Sequence, residues 1–189
     1  MLLPMTTVLI PFIDILYSLA IGTGFVYFPE NPLENIAGTF TFILTLFIAA
    51  HDWYEYHDKA DVVPQDKAGF YHLWQVFVIL VLNQMFRHSV TPSLVSWLIY
   101  FGVFATLNAV WNAFTRFVDH WLFVATTSLL AIGNFAAGIF YSRITALVPT
   151  TDGRWIVLLY ELFLISAILS SIRLLGRAGF KMKWPKNIR

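Results

Sequence analysis

The first residue of this chain with chemistry to offer is an acid in an apolar run. Asp14 stands in Pro11-Phe-Ile-Asp-Ile-Leu-Tyr-Ser-Leu-Ala-Ile-Gly22. A carboxylate at membrane depth is costly, so it marks a functional site by default. Pro11 suits the first position of a helix, where its missing N–H is not needed, and that start places Asp14 in the first turn, where the helix dipole favours negative charge. Asp14, Ser18 and Gly22 recur every fourth residue and draw one polar, small-residue line along an otherwise apolar helix.

A second concentration of ionisable groups is His51-Asp-Trp-Tyr-Glu-Tyr-His57, joined by His72 and by Asp119-His120. His51 and Glu55 lie four apart on one helix face, so they are expected to bridge to Asp14 across a helix interface. With Trp53 and His57 they form the predicted structural polar cluster around Asp14. One chemistry open to this cluster is a hydrogen-bonded tether that fixes the first helix and responds to pH, since imidazole titrates near neutrality. The plainer alternative is a set of headgroup-level polar residues. A metal is a further possibility, because His51, Glu55, His57, His72 and His120 offer nitrogen and oxygen ligands. However, the sequence has no His-Glu-x-x-His pattern, and His51 and His57 do not share a helix face. No metal or other cofactor is therefore expected. Nor does the chain contain a nucleophile elbow, a phosphate loop or paired catalytic carboxylates, and it is not read as an enzyme.

The elements that must position these groups follow from composition. Of 189 residues, 58% are hydrophobic and only 12% charged, about half the charged share of a soluble domain. The apolar residues come in blocks near 20 long, the length that crosses a bilayer. Six spans are predicted, at 11–28, 36–54, 68–86, 94–114, 121–141 and 155–175, in an all-α polytopic membrane protein. Residues 1–176 form the transmembrane domain and 177–189 a short basic cytoplasmic tail. Pro29-Glu-Asn-Pro32, Thr91-Pro-Ser93 and Val148-Pro-Thr-Thr-Asp-Gly153 are turn signals between spans. Tryptophans 53, 74, 97, 111, 121 and 155 fall near span ends, as interfacial belts require.

Lys and Arg counting gives the orientation. Lys59, Lys67, Arg116, Arg173, Arg177, Lys181, Lys183, Lys186 and Arg189 fall on one side, and Arg87, Arg143 and Arg154 on the other. The excess puts both termini in the cytoplasm. A net charge of +1 argues against nucleic acid as a partner, which needs clustered cations. No disulfide or thiol chemistry is open to a chain without cysteine. Asn83, Gln84, Asn108, Asn112 and Asn134 inside spans are read as interhelical hydrogen-bonding groups, Gly133 and Ala137 as a close-approach pair, and Glu161 as a second intramembrane acid. His88, beside Arg87, is expected in an exposed loop.

The stretch Phe12-Ile-Asp-Ile-Leu-Tyr-Ser-Leu-Ala-Ile21 resembles the first-helix signature of the endolysosomal potassium channel family and its prokaryotic homologues. There a Phe-Ser-Asp triplet precedes an apolar run with a small residue and Ile or Leu four and five places after the Asp. Trp53 and His57 are similar in type and place to residues that end the family's second span. Ile13 stands where the motif has Ser, Gly22 where Thr is often found, and the Arg expected before the triplet is absent.

The resemblance implies a homotetramer in a bacterial or archaeal plasma membrane, with helix 1 of each copy lining a potassium or other monovalent-cation path. Leu19 would form an apolar constriction, with Ile15 or Phe25 contributing and Ser18 and Gly22 nearby, while Asp14 would tether the helix to span two. The expected function is thus an oligomeric cation channel. The alternatives are a metal-dependent membrane enzyme using His51, Glu55 and His57, or a non-conducting membrane sensor or assembly subunit.

Overall fold

The computed structural model describes residues 5–60, 65–90, 94–114 and 121–147. They form five α-helices: α1 Met5–Phe25, α2 Ile36–Ala60, α3 Gln65–Ser89, α4 Val95–Phe114 and α5 Trp121–Leu147. Two contain stretches long and apolar enough to cross a membrane, Ile36–His57 with 22 residues and Gly69–Ser89 with 21. Shorter apolar stretches run Leu9–Phe25, Val95–Trp111 and Thr127–Tyr141. The sixth predicted span, 155–175, with Glu161 and the basic tail, lies outside the described residues.

The chain divides into two compact units, one holding α1–α3 and the other α4 and α5. In the first, α1 packs most extensively on α3, and α2 crosses both. The buried face of α1 runs Ile13, Tyr17, Ala20, Gly24, a spacing of three and four that keeps one stripe inward. From α2 come Ala37, Thr41, Phe42, Thr45, Ala49, Asp52 and Tyr56, and from α3 Tyr71, His72, Gln75, Val78, Ile79, Leu82, Met85 and Phe86. One end of this unit is polar. The other is aromatic, with Phe42 against Phe86 at 5.4 Å, Phe25 at 5.5 Å and Phe28 at 5.1 Å between ring centres.

The start of α1 corrects one expectation. The helix begins at Met5, so Pro11 is interior rather than first, and Asp14 is not in the first turn. A proline there removes one backbone bond, the one to the Thr7 carbonyl, and membrane helices tolerate that where neighbours compensate. The dipole therefore does little for Asp14, and its stabilisation comes from α2. The start of α2 is capped: Asn35 Oδ1 accepts from the Gly38 N–H at 3.1 Å, and Thr39 Oγ1 donates to the Pro32 carbonyl at 3.0 Å. Gly38 is required by that cap, because a Cβ would meet the Asn35 side chain at 2.6 Å. Buried Thr41 and Thr45 bond carbonyls one turn back, at 2.8 Å each, so they impose no unsatisfied hydroxyls.

Gly24 of α1 lies directly against Phe86 of α3. An added Cβ would stand 2.8 Å from the Phe86 ring, and Phe86 is itself wedged against Phe42. Gly24→Ala is expected to cost about 1–3 kcal/mol through overpacking, read as a lower thermal midpoint in detergent.

Among the described residues, the second unit is α4 packed on α5. Gly138 of α5 faces Ile99, Leu98 and the Val95 carbonyl of α4, and Gly102 of α4 faces Phe135 of α5. Among the described residues α5 buries Ala131, Asn134 and Gly138, a different stripe from Gly133 and Ala137. They sit about 100° round the helix from that stripe. Trp97 and Trp111, near the two ends of α4, are buried within the unit, with Trp97 against Phe101 at 5.2 Å. His88 belongs to the last turn of α3 and is half-buried, not in a loop.

Candidate functional site

The polar end of the first unit is built in two tiers by the N-terminal half of α1, the C-terminal half of α2 and the N-terminal half of α3. In the outer tier, Asp14 Oδ1 accepts a hydrogen bond from Trp53 Nε1 at 2.9 Å and meets His57 Nε2 at 2.8 Å. With its proton on Nε2 the imidazole donates to the carboxylate; protonated on both nitrogens it forms an ion pair. The His57 ring packs edge-on against Trp53 at 4.7 Å and Tyr56 at 5.4 Å, which limits its rotation. Asp14 and His57 side chains remain 38% and 35% exposed.

His51 and Glu55 do not reach Asp14. His51 is exposed and Glu55 half-buried. The reason is angular: Trp53 and His57 lie two residues on, about 200° around the helix from His51 and Glu55, and α2 turns that face towards α1. Asp14 is thus tethered by the second pair, not the first. Among the described residues, no three His, Asp or Glu side chains converge as a metal site would need, so His51, Glu55 and His57 are not gathered around a common point.

Of the inner tier, the sequence pointed to Asp52 and His72 but not to Tyr17, Tyr56, Tyr71 or Gln75. Asp52 is 5% and Tyr17 2% exposed. The Tyr17 hydroxyl donates to Asp52 Oδ2, Gln75 Nε2 donates to the same oxygen at 2.8 Å, and Gln75 also donates to the Tyr17 hydroxyl. One residue from each helix closes a triangle in which every proton has an acceptor. Beside it, the Tyr56 hydroxyl and His72 Nδ1 are 2.7 Å apart, and Tyr71 donates to the Tyr56 carbonyl at 3.1 Å while stacking on its ring at 5.3 Å. His72 Nε2 is buried with no hydrogen-bond partner among the described residues. A buried polar group costs free energy unless bonded, so these polar residues fix the helix contacts more sharply than apolar ones could.

A sequence signal for this tier exists. Tyr17 follows Ile13 at the buried spacing, Asp52 and Tyr56 are four apart, and His72 and Gln75 three apart. Polar residues on the same stripe as the apolar core mark a buried network. Elsewhere, Thr23 Oγ1 reaches Asn83 Oδ1 at 3.3 Å, an interhelical link of the expected kind. Asn108 and Asn134 also donate to carbonyls of their own helices, at 3.2 and 2.9 Å.

The other face of α1 points outward. Ile15 is 64% and Leu19 59% exposed. Phe12, Ser18, Gly22 and Phe25 are exposed beside them, and a Cβ on Gly22 would have nothing within 4 Å. Four of the five residues expected to line a path, Ile15, Ser18, Leu19 and Gly22, therefore share one exposed face with Asp14 at its margin, while Phe25 packs its ring against Phe42. In the second unit, a groove of about 310 Å³ between α4 and α5 carries two hydroxyl residues, Thr106 and Ser128, among apolar neighbours such as Val110, Ile132 and Phe135.

No protein-family model, no curated protein and no solved structure matches this chain.

Proposed function

We propose that this chain is one subunit of a homo-oligomeric channel, a tetramer, that passes a monovalent cation, potassium, across a membrane along α1. In this reading the chain crosses the membrane six times with both termini in the cytoplasm. The observation that carries it is the division of α1 into two faces. Its one carboxylate and its tyrosine are tied to α2 and α3, while Ile15, Ser18, Leu19 and Gly22 are presented outward as an apolar and small-residue face.

Copies of that face around an axis would form an apolar constriction. Such a ring excludes water when narrow and admits a hydrated ion when wide, so gating is by dewetting. Leu19 would be the narrowest ring, with Ile15 and Phe25 on either side along α1 and Gly22 leaving room one turn away. Asp14 would act at the margin, holding the helix through Trp53 and His57 rather than binding the ion. No Thr-Val-Gly-Tyr-Gly segment is present, so selectivity would not come from a ring of carbonyls.

The direct test is flux from vesicles holding purified protein under a potassium gradient, and a chain that passes no cation defeats the reading. Gly22→Leu separates function from stability. Its side chain meets open space within the subunit, so melting should move within about 0.5 kcal/mol, while cation flux should fall several-fold. Equal flux in both proteins would remove α1 from the path.

A further inference from the structure

We infer that Tyr17, Asp52 and Gln75 form a rotational lock on α1, fixing which residues the helix presents outward. The remainder of the buried face of α1 is poorly suited to that task. Ile13, Ala20 and Gly24 offer one branched side chain, one methyl and one hydrogen, and apolar burial is non-directional. Apart from the close fit of Gly24 on Phe86, turning the helix slightly would cost such a stripe little. Hydrogen bonds are directional and weaken steeply when bent. The Tyr17 hydroxyl sits at the far end of a rigid ring, so it sweeps a longer arc on rotation than any backbone atom.

Its two partners come from different helices, Asp52 from α2 and Gln75 from α3, and they also bond each other at 2.8 Å. Sliding along either neighbour breaks one side of the triangle. All three residues are buried, so water cannot substitute for a lost bond, and the broken state carries unpaired polar groups. Ile15 and Leu19 each lie two residues from Tyr17, about 200° around the helix. Holding Tyr17 inward therefore sends both of them outward. Tyr17 is in this sense a positioning residue for the apolar face. Its consequence for conduction rests on the channel reading above, whereas the rotational claim stands on the geometry alone.

The chain has no cysteine, so introduced thiols are the only ones present. Thr23→Cys with Asn83→Cys makes a reporter pair across α1 and α3, replacing side chains that now meet at 3.3 Å. A short thiol-to-thiol bridging reagent should join this pair rapidly in the otherwise native full chain in membranes. Adding Tyr17→Phe should slow bridging several-fold. Adding Tyr17→Phe, Asp52→Leu and Gln75→Met together should slow it at least tenfold and speed bridging of the displaced pair Gly22→Cys with Asn83→Cys. The triple change removes every polar partner at once and puts an apolar side chain of similar shape in each place, so folding should survive, as helical circular dichroism will report.

Unchanged bridging in the folded triple variant overturns the lock. A triple variant that no longer folds overturns it too, because the triad would then hold the fold and not the angle. In vesicles, the lock predicts that Leu19→Asn loses most of its effect on flux in the triple background. A chain that conducts nothing yet shows the change in bridging leaves the lock intact and removes the channel reading alone.

Discussion

Asp52→Ala is expected to be the most damaging single substitution in the described part of the chain, lowering stability by about 2–6 kcal/mol, at about 1–3 kcal/mol for each buried donor left without an acceptor. The alanine removes the oxygen on which Tyr17 and Gln75 both converge. Two donors are left in a space that is 5% exposed at Asp52, too closed for bulk water to replace the lost acceptor. A small cavity adds to the loss. Asp52→Asn retains an acceptor for one donor and should cost about 1 kcal/mol, the net worth of one ordinary hydrogen bond. Asp14→Ala breaks an equally short pair of contacts, at 2.9 and 2.8 Å, yet its partners are more than a third exposed. Water can take over there, so the loss should stay near 1 kcal/mol. Thermal unfolding in one detergent ranks the three variants: Asp52→Ala lowest, then Asp52→Asn and Asp14→Ala together. A ranking with Asp14→Ala lowest would place the stabilising centre in the outer tier.

Leu19→Asn is expected to raise cation flux by at least tenfold with little change in melting. Leu19 is 59% exposed within the subunit, so the substitution removes few contacts inside it. Around an axis, by contrast, each copy would replace an apolar side chain by an amide that hydrogen-bonds water. A dewetted ring blocks ions through the free energy of filling it with water, and a reduction of 1.4 kcal/mol in that barrier is tenfold in rate. In the proposed tetramer, four amides in a ring would supply more than this. Ile15→Asn should act in the same direction and less strongly if Leu19 is the narrower ring. The measurement is potassium efflux from vesicles at matched protein density, with oligomer size checked by cross-linking. Flux that ignores Leu19 would mean that this face meets lipid or another subunit without enclosing a path.

How far the sequence could be read is clearest at residues 51–57. That this stretch ends a long apolar helix and meets Asp14 was legible, because an acid among apolar residues needs partners and an aromatic-imidazole cluster can supply them. Which of its residues would do so was not. His51 with Glu55 and Trp53 with His57 have the same four-residue spacing, and nothing local says which pair faces α1. The inner triad was hidden for a similar reason: Tyr17 is seven residues before Gly24 on the face that packs on α3, a fact that becomes visible only when Phe86 is found against Gly24. At Pro11 a local rule was outweighed. One missing backbone bond did not stop an apolar helix from beginning at Met5.

The sequence by itself determined that the described chain is helical and that its long apolar blocks, Ile36–His57 and Gly69–Ser89, match a membrane in length. Both are properties of runs of neighbouring residues, set by hydropathy and backbone bonding within about 20 residues. The tertiary structure decided the rotation of each helix about its axis and the register between helices. Those choices tied Asp14 to Trp53 and His57, closed the Tyr17–Asp52–Gln75 triangle and left Ile15 and Leu19 facing out. They depend on which side chains meet across 35 to 58 residues of chain, and a pattern that repeats every 3.6 residues does not specify them.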